Sequence, residues 1–407
     1  MFKFRLAQLS LAMAAIGFTA AAPLMGLGSV AYAADAVRAE VGKPLQEAQK
    51  LAQAGKNKEA LAKLRDADAV GGKTANETYL IERTRASAAA AAGDNETAAR
   101  AFEAVINSGK LSAAEAPKFT QALAGLYYRA KDYPKAITWI QRALKDNPGD
   151  GQMHELLIQT YYISGKFNEA AKELQNSKGS SEGQLQMLAN IQLKQNDKAG
   201  YVQTLEKLAG SYPKTSYWAD LLNRVSGKPG FASSLSLDVL RLRLANGLLA
   251  KPGEYMEMSQ LSLQAGNAAE SLKIIDQGYK KGVLGVGADA ARHQRLKDLA
   301  VKTGAENTAN AAKLEAEYLK NKDADGLSNL GFGLVSDGKT DKGLELMTQA
   351  VKMDSARRPE ELKLHLGIAQ AQAGKKAAAL ATLKTVKGTE GAADLARYWT
   401  LQINHPM

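Results

Sequence analysis

The chain of 407 residues contains no cysteine and only four histidines. Without cysteine it has no disulfide bond, no cysteine nucleophile, no thiolate metal site and no lipidated N-terminal cysteine. The histidines stand at positions 154, 293, 365 and 405, too scattered for the ligand spacing of a metal site. No GxSxG or HExxH string occurs either. We therefore expect no enzyme activity, no cofactor and no metal ion.

Long apolar runs are missing from the sequence that follows the N-terminal segment. No stretch there approaches the roughly 20 apolar residues of a membrane span. The first residues are organised like a secretory signal. Lys3 and Arg5 precede an apolar stretch at 6–27, and A-Y-A at 31–33 supplies the small residues that signal peptidase needs. We expect cleavage after residue 33 and a periplasmic protein without stable membrane insertion. An uncleaved segment that tethers the chain to the inner membrane is the alternative.

The composition provides material for a large core, because 45% of the residues are hydrophobic, 23% are charged and only 10 are proline. The formal charge is +11, from 53 basic and 42 acidic side chains. No block of about five or six basic residues with interleaved aromatic residues occurs. We therefore expect a solvated basic surface and no nucleic-acid partner.

The sequence repeats itself, and a fixed period decides the fold class before any helix is assigned. Segments 119–148 and 153–177 superimpose at a shift of 34 residues (157 − 123 = 34). The shift places Leu123, Tyr127 and Ala136 on Leu157, Tyr161 and Ala170. These residues resemble the tetratricopeptide repeat. The unit that begins at residue 117 supplies the family's apolar and small positions: Leu123, Ala124, Tyr127, Tyr133, Ala136, Ile140, Ala143 and Pro148.

The resemblance implies that each unit is a pair of antiparallel helices. Ala124 and Ala136 would lie where the two helices cross, since only small side chains allow the axes to approach to about 8–10 Å. Gly165 would form the turn inside the second unit, and Pro148 would end the first unit. Fainter copies place small residues at crossing and turn positions of the C-terminal half: Gly331, Gly338, Gly343, Gly367, Gly374 and Ala379. A helix pair with a weaker fit is expected at 292–318.

We therefore expect an all-α protein, a right-handed superhelical α-solenoid of tetratricopeptide-like helix pairs in one or two arrays. Proline, glycine and serine cluster at 226–238 and 250–254, which indicates a junction between the arrays. The predicted organisation is a signal peptide at 1–33, an N-terminal array at 34–215, an irregular helical junction at 216–253, a C-terminal array at 254–389, and a capping helix with a tail at 390–407.

Two strings imitate ligand sites. Residues 333–340 match the phosphate-loop pattern GxxxxGK[ST], but a phosphate loop follows a buried strand. Here the residues before Gly338 are expected to form the first helix of a repeat unit. Residues 321–326 resemble the start of a calcium loop, but its twelfth position, which should be a bidentate acid, is Phe332. We expect neither site.

We therefore expect the protein to function by binding a partner at its surface. In tetratricopeptide arrays, repeat positions 2, 5, 9 and 12 of the first helices face a concave groove. The resemblance assigns these groove positions to Lys118, Gln121, Gly125, Tyr128, Gln152, Glu155, Gln159, Tyr162, Gln186 and Asn190. The resemblance implies binding without identifying what is bound. We expect a non-catalytic exported scaffold that binds a protein or an extended peptide in this groove and serves envelope assembly, secretion or polymer export. A cell-envelope glycan is the alternative ligand, because tyrosines and amides also suit sugars.

Overall fold

The structure, a computed structural model, describes residues 36–176 and 181–407. These residues form α-helices and one short 3-10 turn, with no strand among them. Two compact units divide the chain, one up to Ile191 and one from Gln192 onward. The first nine helices are α1 (Ala39–Gln53), α2 (Asn57–Asp68), α3 (Ala75–Ala92), α4 (Asn95–Asn107), α5 (Ala116–Arg129), α6 (Tyr133–Asp146), α7 (Gly151–Ile163), α8 (Phe167–Asn176) and α9 (Glu182–Lys194). The others are α10 (Lys198–Ser211), α11 (Thr215–Ser226), the 3-10 turn η1 (Ser233–Leu235), α12 (Ser236–Ala245), α13 (Pro252–Gln264), α14 (Ala268–Lys280), α15 (Ala290–Asn321), α16 (Ala324–Ser336), α17 (Thr340–Val351), α18 (Pro359–Gln372), α19 (Lys376–Leu383) and α20 (Ala392–Asn404).

The helices of the N-terminal unit pack as consecutive pairs: α1 with α2, α3 with α4, α5 with α6, and α7 with α8. The second helices α2, α4 and α6 also pack against the first helix of the following pair. In this arrangement each pair covers the apolar faces of its neighbours, which is how an α-solenoid buries a core. The prediction of an all-α solenoid built from helix pairs is confirmed.

The turns inside these pairs are formed by a left-handed residue. Gly93 (φ 76°) precedes Asp94, whose carboxylate accepts a backbone N–H of α4 at 3.1 Å. Lys131 (φ 62°) precedes Asp132, which caps α6 in the same way at 3.2 Å. Such a cap stabilises a helix by about 1 kcal/mol. Gly165, with φ 76°, makes the corresponding turn between α7 and α8. In each of these three pairs, a left-handed turn residue therefore positions the second helix.

Small residues occupy the two positions at which the sequence predicts that α5 and α6 cross. Ala124 of α5 and Ala136 of α6 are completely buried. The neighbouring core residues are large, and the core runs as one cluster from α3 to α9. It includes the repeat residues Leu123, Tyr127, Leu157, Tyr161 and Ala170. Pro148 follows the end of α6 and precedes α7.

Glu77 joins the start of α1 to the start of α3. Its buried carboxylate accepts the side-chain Nε–H of Arg38 at 3.0 Å, the backbone N–H of Arg38 at 2.9 Å and that of Thr74 at 2.8 Å. The Thr74 hydroxyl in return accepts the backbone N–H of Glu77 at 3.1 Å, which completes a capping box. These hydrogen bonds, first of all the one from the Arg38 guanidinium, lower the pKa of Glu77 to about 2.

Glu77 should therefore make the stability of the N-terminal unit depend on pH. Its contribution is present above the ordinary pKa of 4.5 and is lost as the pH falls towards 2, because the folded state then has to bind a proton that the unfolded state already holds. We expect the free energies of unfolding of wild type and Glu77→Gln to differ most near neutral pH and to converge near pH 2. Urea unfolding across this range measures the difference, and a constant difference would contradict the role of the ionised carboxylate.

The C-terminal unit contains three further helix pairs: α13 with α14, α16 with α17, and α18 with α19. The backbones of α16 and α17 approach closely, since a Cβ atom on Gly331 would lie 2.7 Å from the carbonyl oxygen of Gly343. Gly367 and Ala379 lie at the crossing of α18 with α19. A Cβ atom on Gly367 would lie 3.6 Å from the carbonyl oxygen of Ala379. The turns inside these two pairs are made by Gly338 (φ 88°) and Gly374 (φ 73°).

One expectation for this unit is wrong. Residues 292–318 do not form a helix pair but lie within the single 32-residue helix α15. Gly304 is the only glycine in that stretch, and its φ is not in the left-handed region. An interior glycine costs a helix about 1 kcal/mol, which is less than the helix gains by continuing. No proline interrupts the stretch either.

Helices α12 and α20 of the C-terminal unit do not belong to these three pairs. Helix α12, preceded by η1, packs against α11, α13 and α20. Helix α20 packs against α18 and α19, and it also reaches α10, where Arg397 forms an ion pair with Glu206 at 3.2 Å. The last helix of this unit therefore contacts the helix with which the unit starts.

Candidate partner-binding surface

The groove positions predicted from the sequence lie on the first helices of successive pairs in the N-terminal unit. These nine residues are Lys118, Gln121 and Tyr128 on α5, Gln152, Glu155, Gln159 and Tyr162 on α7, and Gln186 and Asn190 on α9. We call them the N-terminal face. Gly125, a tenth groove position, is buried in α5 and adds no side chain.

Two hydrogen bonds join the three helices of the N-terminal face. The Gln121 side-chain amide donates to the carboxylate of Asp150 at 2.6 Å. Asp150 is the N-cap of α7, because its other oxygen accepts backbone N–H groups of that helix. On the other side of α7, the Tyr162 hydroxyl donates to the Asn190 side-chain oxygen of α9 at 3.2 Å. The side chains of α5, α7 and α9 thus form one continuous surface.

The residues of the N-terminal face differ in how much they offer to a partner. Lys118 and Gln152 are exposed. Gln159 is only 6% exposed and donates to Glu155 at 3.4 Å, so it supports the surface more than it forms it. The remaining members are half-buried: Gln121, Tyr128, Glu155, Tyr162, Gln186 and Asn190. A partner would therefore meet polar tips on side chains whose stems are already packed.

The same aromatic arrangement recurs in two successive pairs. Tyr128 of α5 packs against Tyr133 of α6, with ring centroids 6.1 Å apart and planes at 59°. Tyr162 of α7 packs edge-on against Phe167 of α8, at 5.7 Å and 67°. Burial raises the pKa of the Tyr128 hydroxyl, with a smaller contribution from Tyr133. Each tyrosine is therefore fixed by a ring behind it and keeps one side toward the surface.

Sequence reasoning missed Arg83, which lies on α3, the first helix of the preceding pair. Its guanidinium forms an ion pair with Glu115 at 2.6 Å and lies 5.7 Å from the ring centroid of Phe119. The arginine, together with Ser112, lowers the pKa of Glu115 to about 2. The sequence contains a signal for this position. Ala98 and Ala136 are equivalent repeat positions 38 residues apart (136 − 98 = 38), and Arg83 precedes the groove residue Gln121 by the same interval (121 − 83 = 38).

The two strings that imitate ligand sites have ordinary structural roles. Gly338 forms the turn between α16 and α17, and the residues before it are helical. Asp323 is the N-cap of α16 and accepts the backbone N–H of Gly326 at 2.9 Å. Phe332 is buried beneath the guanidinium of Arg241 at 4.2 Å. Across 36–176 and 181–407, no three histidine, aspartate or glutamate side chains are close enough together to hold a metal ion.

The helix pairs that carry the N-terminal face also match a known family. Residues 83–151, which span α3 to the start of α7, match the family model described as the tetratricopeptide repeat. Residues 83–151 of the chain therefore contain tetratricopeptide repeats. Arrays of this repeat are typically non-catalytic scaffolds that present an extended surface to proteins, and this is the coarse function that the match supports. No curated protein sequence matches the chain.

Several solved structures are similar to the chain at low sequence identity. A tetratricopeptide repeat protein from Parabacteroides merdae is 11% identical, with 79% of this chain and 98% of that chain covered and a TM-score of 0.29. MamA from Desulfovibrio magneticus is 16% identical, with 42% and 95% covered and a TM-score of 0.30. The tetratricopeptide domain of P58(IPK) is 13% identical, with 83% and 99% covered and a TM-score of 0.24. These TM-scores are too low to support an argument, so the fold assignment rests on the helix pairs themselves.

Of the helices within 36–176 and 181–407, none combines the length with the apolar character needed to cross a bilayer. The signal peptide expected at 1–33 lies outside the described residues.

Proposed function

We propose that the chain is a non-catalytic adaptor that binds a protein partner, as an extended peptide, along the N-terminal face. We further propose that it acts in the periplasm, in envelope assembly, secretion or polymer export. The location rests on the signal pattern of residues 1–33, and the mode of binding rests on the surface described above.

The observation that carries the proposal is the repeated pair of supported tyrosines. Tyr128 and Tyr162 stand at the same position of two successive units, each held by an aromatic ring of the second helix. Tyrosine is enriched among the residues that contribute most to protein interfaces, because it buries a large ring at low entropic cost and keeps a polar tip. The amides of Gln121, Gln152 and Gln186 beside them can hydrogen-bond the main chain of a peptide.

The N-terminal face has little net charge, which bears on the kind of partner. Lys118 is its only basic member and Glu155 its only acidic member, while Arg83 is already paired with Glu115. The surface therefore lacks the basic cluster that holds a terminal carboxylate. It suits an internal, extended stretch of a partner chain, recognised through apolar side chains and main-chain amides.

We expect the double variant Tyr128→Ala with Tyr162→Ala to lose its partner. If each tyrosine contributes about 1–2 kcal/mol of binding free energy, the loss of both should weaken binding by at least about thirtyfold. The measurement is a pull-down from periplasmic extract with wild type and variant as baits. The double variant to phenylalanine tests the hydroxyls alone, and Lys145→Ala, an exposed change on α6, is the control on the opposite helix.

Two results would count against the proposal. Retention of every wild-type partner by the double alanine variant, at an unchanged melting temperature, would mean that the N-terminal face is not the binding surface. Binding to a cell-envelope glycan is the second candidate, since rings and amides side by side also suit sugars. Co-sedimentation with peptidoglycan that depends on Tyr128 and Tyr162, together with no protein partner, would favour that alternative.

A further inference from the structure

Helix α12 is buried on every side. Leu237, Leu240 and Leu242 are between 0% and 8% exposed, and so are the two charged residues Asp238 and Arg241. An amphipathic surface helix would keep such charges in water. The charges of α12 are instead enclosed by other helices of the C-terminal unit.

Besides α11, α13 and α20, α12 also contacts the C-terminal counterpart of the N-terminal face. When Gly331 is aligned with Ala124, the four groove positions of α5 correspond to Asp325, Ser328, Phe332 and Val335 of α16. Aligning Gly367 in the same way gives Glu361, Leu364, Ile368 and Ala371 of α18. Six of these eight residues are at most 9% exposed, whereas Asp325 and Ala371 are half-buried. Of the ten groove positions in the N-terminal array, by contrast, only Gly125 and Gln159 are buried.

Contacts from η1 and α12 reach two of these positions, Phe332 and Glu361, and the nearby residue His365. The guanidinium of Arg241 lies over the ring of Phe332 at 4.2 Å. The Ser234 hydroxyl donates to the carboxylate of Glu361 at 2.6 Å. The carboxylate of Asp238 lies 3.0 Å from Nε2 of His365, also on α18. A segment of the chain itself thus occupies the place that a bound helix would take.

Arg241 fixes this segment in a single position. Its Nε and one terminal nitrogen donate to the two carboxylate oxygens of Glu270, at 2.7 and 2.6 Å, and its other terminal nitrogen donates to Asp238 at 2.8 Å. Burial alone would raise the pKa of Asp238, but His365 and Arg241 hold it below its ordinary value. Buried ion pairs contribute little net stability compared with apolar packing, whereas their two-point geometry admits only one register.

We propose that the groove of the C-terminal array is a helix-binding site whose ligand is the chain's own segment 233–245. The segment is flanked by a loop at 227–232, which contains Gly227, Pro229 and Gly230, and by a loop at 246–251, which contains Gly247. Such tethering gives the segment a high effective concentration and keeps the groove closed. The chemistry that the groove recognises is an apolar helix with an acidic residue followed three positions later by an arginine. Partners of the protein then have only the N-terminal face.

Cutting the full-length protein on both sides of the segment tests this inference. Protease sites placed in the loops at 228–230 and 247–250 allow the backbone to be cut on both sides of the segment. After cleavage, the peptide that contains residues 233–246 is held in place only by noncovalent contacts. We expect a fluorescent synthetic peptide of residues 233–246 to exchange into the cut protein, while the remaining helices keep their circular dichroism. The uncut protein should bind none of the labelled peptide.

Two variant peptides define the recognition. Arg241→Met in the peptide should weaken binding by roughly a hundredfold or more, because Glu270 would be left buried without its partner. Arg243→Met is the matched control, two residues away in the same helix. Arg243 pairs with Glu254 at 2.8 Å where both side chains are more than 20% exposed, so we expect at most about a fivefold loss.

Several results would overturn the inference. If the cut protein loses its helical signal, or if no labelled peptide enters over days, α12 is an inseparable part of the core. Equal binding of native and Arg241→Met peptides would contradict the proposed recognition. Should the loop insertions prevent folding, hydrogen exchange of the uninserted protein decides: α12 should open at lower free energy than α16 and α17, and equal protection would refute the inference. No external partner is involved, so failure here leaves the proposal for the N-terminal face untouched.

Discussion

Replacing Arg241 with methionine is expected to lower the free energy of unfolding of the C-terminal unit by about 3–5 kcal/mol. The change leaves Glu270 and Asp238 as neighbouring buried carboxylates without their shared cation. A buried charge that loses its partner costs far more than the pair contributed, because water cannot reach it. Urea unfolding of the full-length protein, followed by circular dichroism and by tryptophan fluorescence, measures the loss and shows whether the two units unfold together.

The comparison variant is Arg243→Met, which removes an arginine from the same helix. Since its pair with Glu254 is partly exposed, we expect a change of about 0–1 kcal/mol. A triple variant, Asp238→Leu with Arg241→Met and Glu270→Met, should recover most of the loss, because apolar residues of similar volume can replace a buried ion cluster. If Arg241→Met and Arg243→Met lowered the free energy of unfolding equally, burial of the ion pair would not determine the size of the loss.

Gly331→Ala is expected to destabilise the same unit by about 1–3 kcal/mol. The new Cβ atom would lie 2.7 Å from the carbonyl oxygen of Gly343 and 2.6 Å from Cγ of Met347. The side chain of Met347 can move, but the backbone oxygen cannot move without separating α16 from α17. The crossing of this pair therefore has to open, and apolar contacts along both helices are lost.

Gly333→Ala, two residues further along α16, is the matched control. The nearest atom to its new Cβ would be the side-chain oxygen of Asn267 at 3.5 Å, an ordinary contact. Alanine is favoured over glycine in a helix interior by about 1 kcal/mol, so this variant should be as stable as wild type or more so. Thermal unfolding of both variants tests the pair. If both lost stability equally, helix crossing would not explain the glycine at position 331.

The helix pairs could be predicted because their determinants are local and periodic. The small residue Ala136 recurs as Ala170 one period later, and turn residues such as Gly165 precede the second helix of a pair. Helix α15 could not be predicted in the same way. Whether Gly304 forms a turn or stays inside a helix depends on what packs on either side of it, and the surrounding sequence favours a helix in both cases.

The candidate surface was only partly accessible from the sequence. The register assigns Tyr128 and Tyr162 to one face, but it does not show that each is supported by a ring of the second helix. The hydrogen bond from Gln121 to Asp150 connects residues 29 apart, and a helix cap supplies its acceptor. The burial of Arg241 is a similar case, since nothing near it in sequence indicates that Glu270 would receive it.

The glycines of this protein fall into two classes that should diversify differently in evolution. At the turns, a Cβ on Gly165 or Gly338 would meet nothing within 4 Å, so only the dihedral angle is constrained. Lys131, at the same place in another pair, shows that a long side chain is tolerated there. At a crossing such as Gly343, a Cβ would lie 2.5 Å from a backbone oxygen, so every other side chain is disfavoured on steric grounds. Among descendants of this sequence, turn glycines should drift to asparagine or lysine, while crossing glycines should stay unchanged.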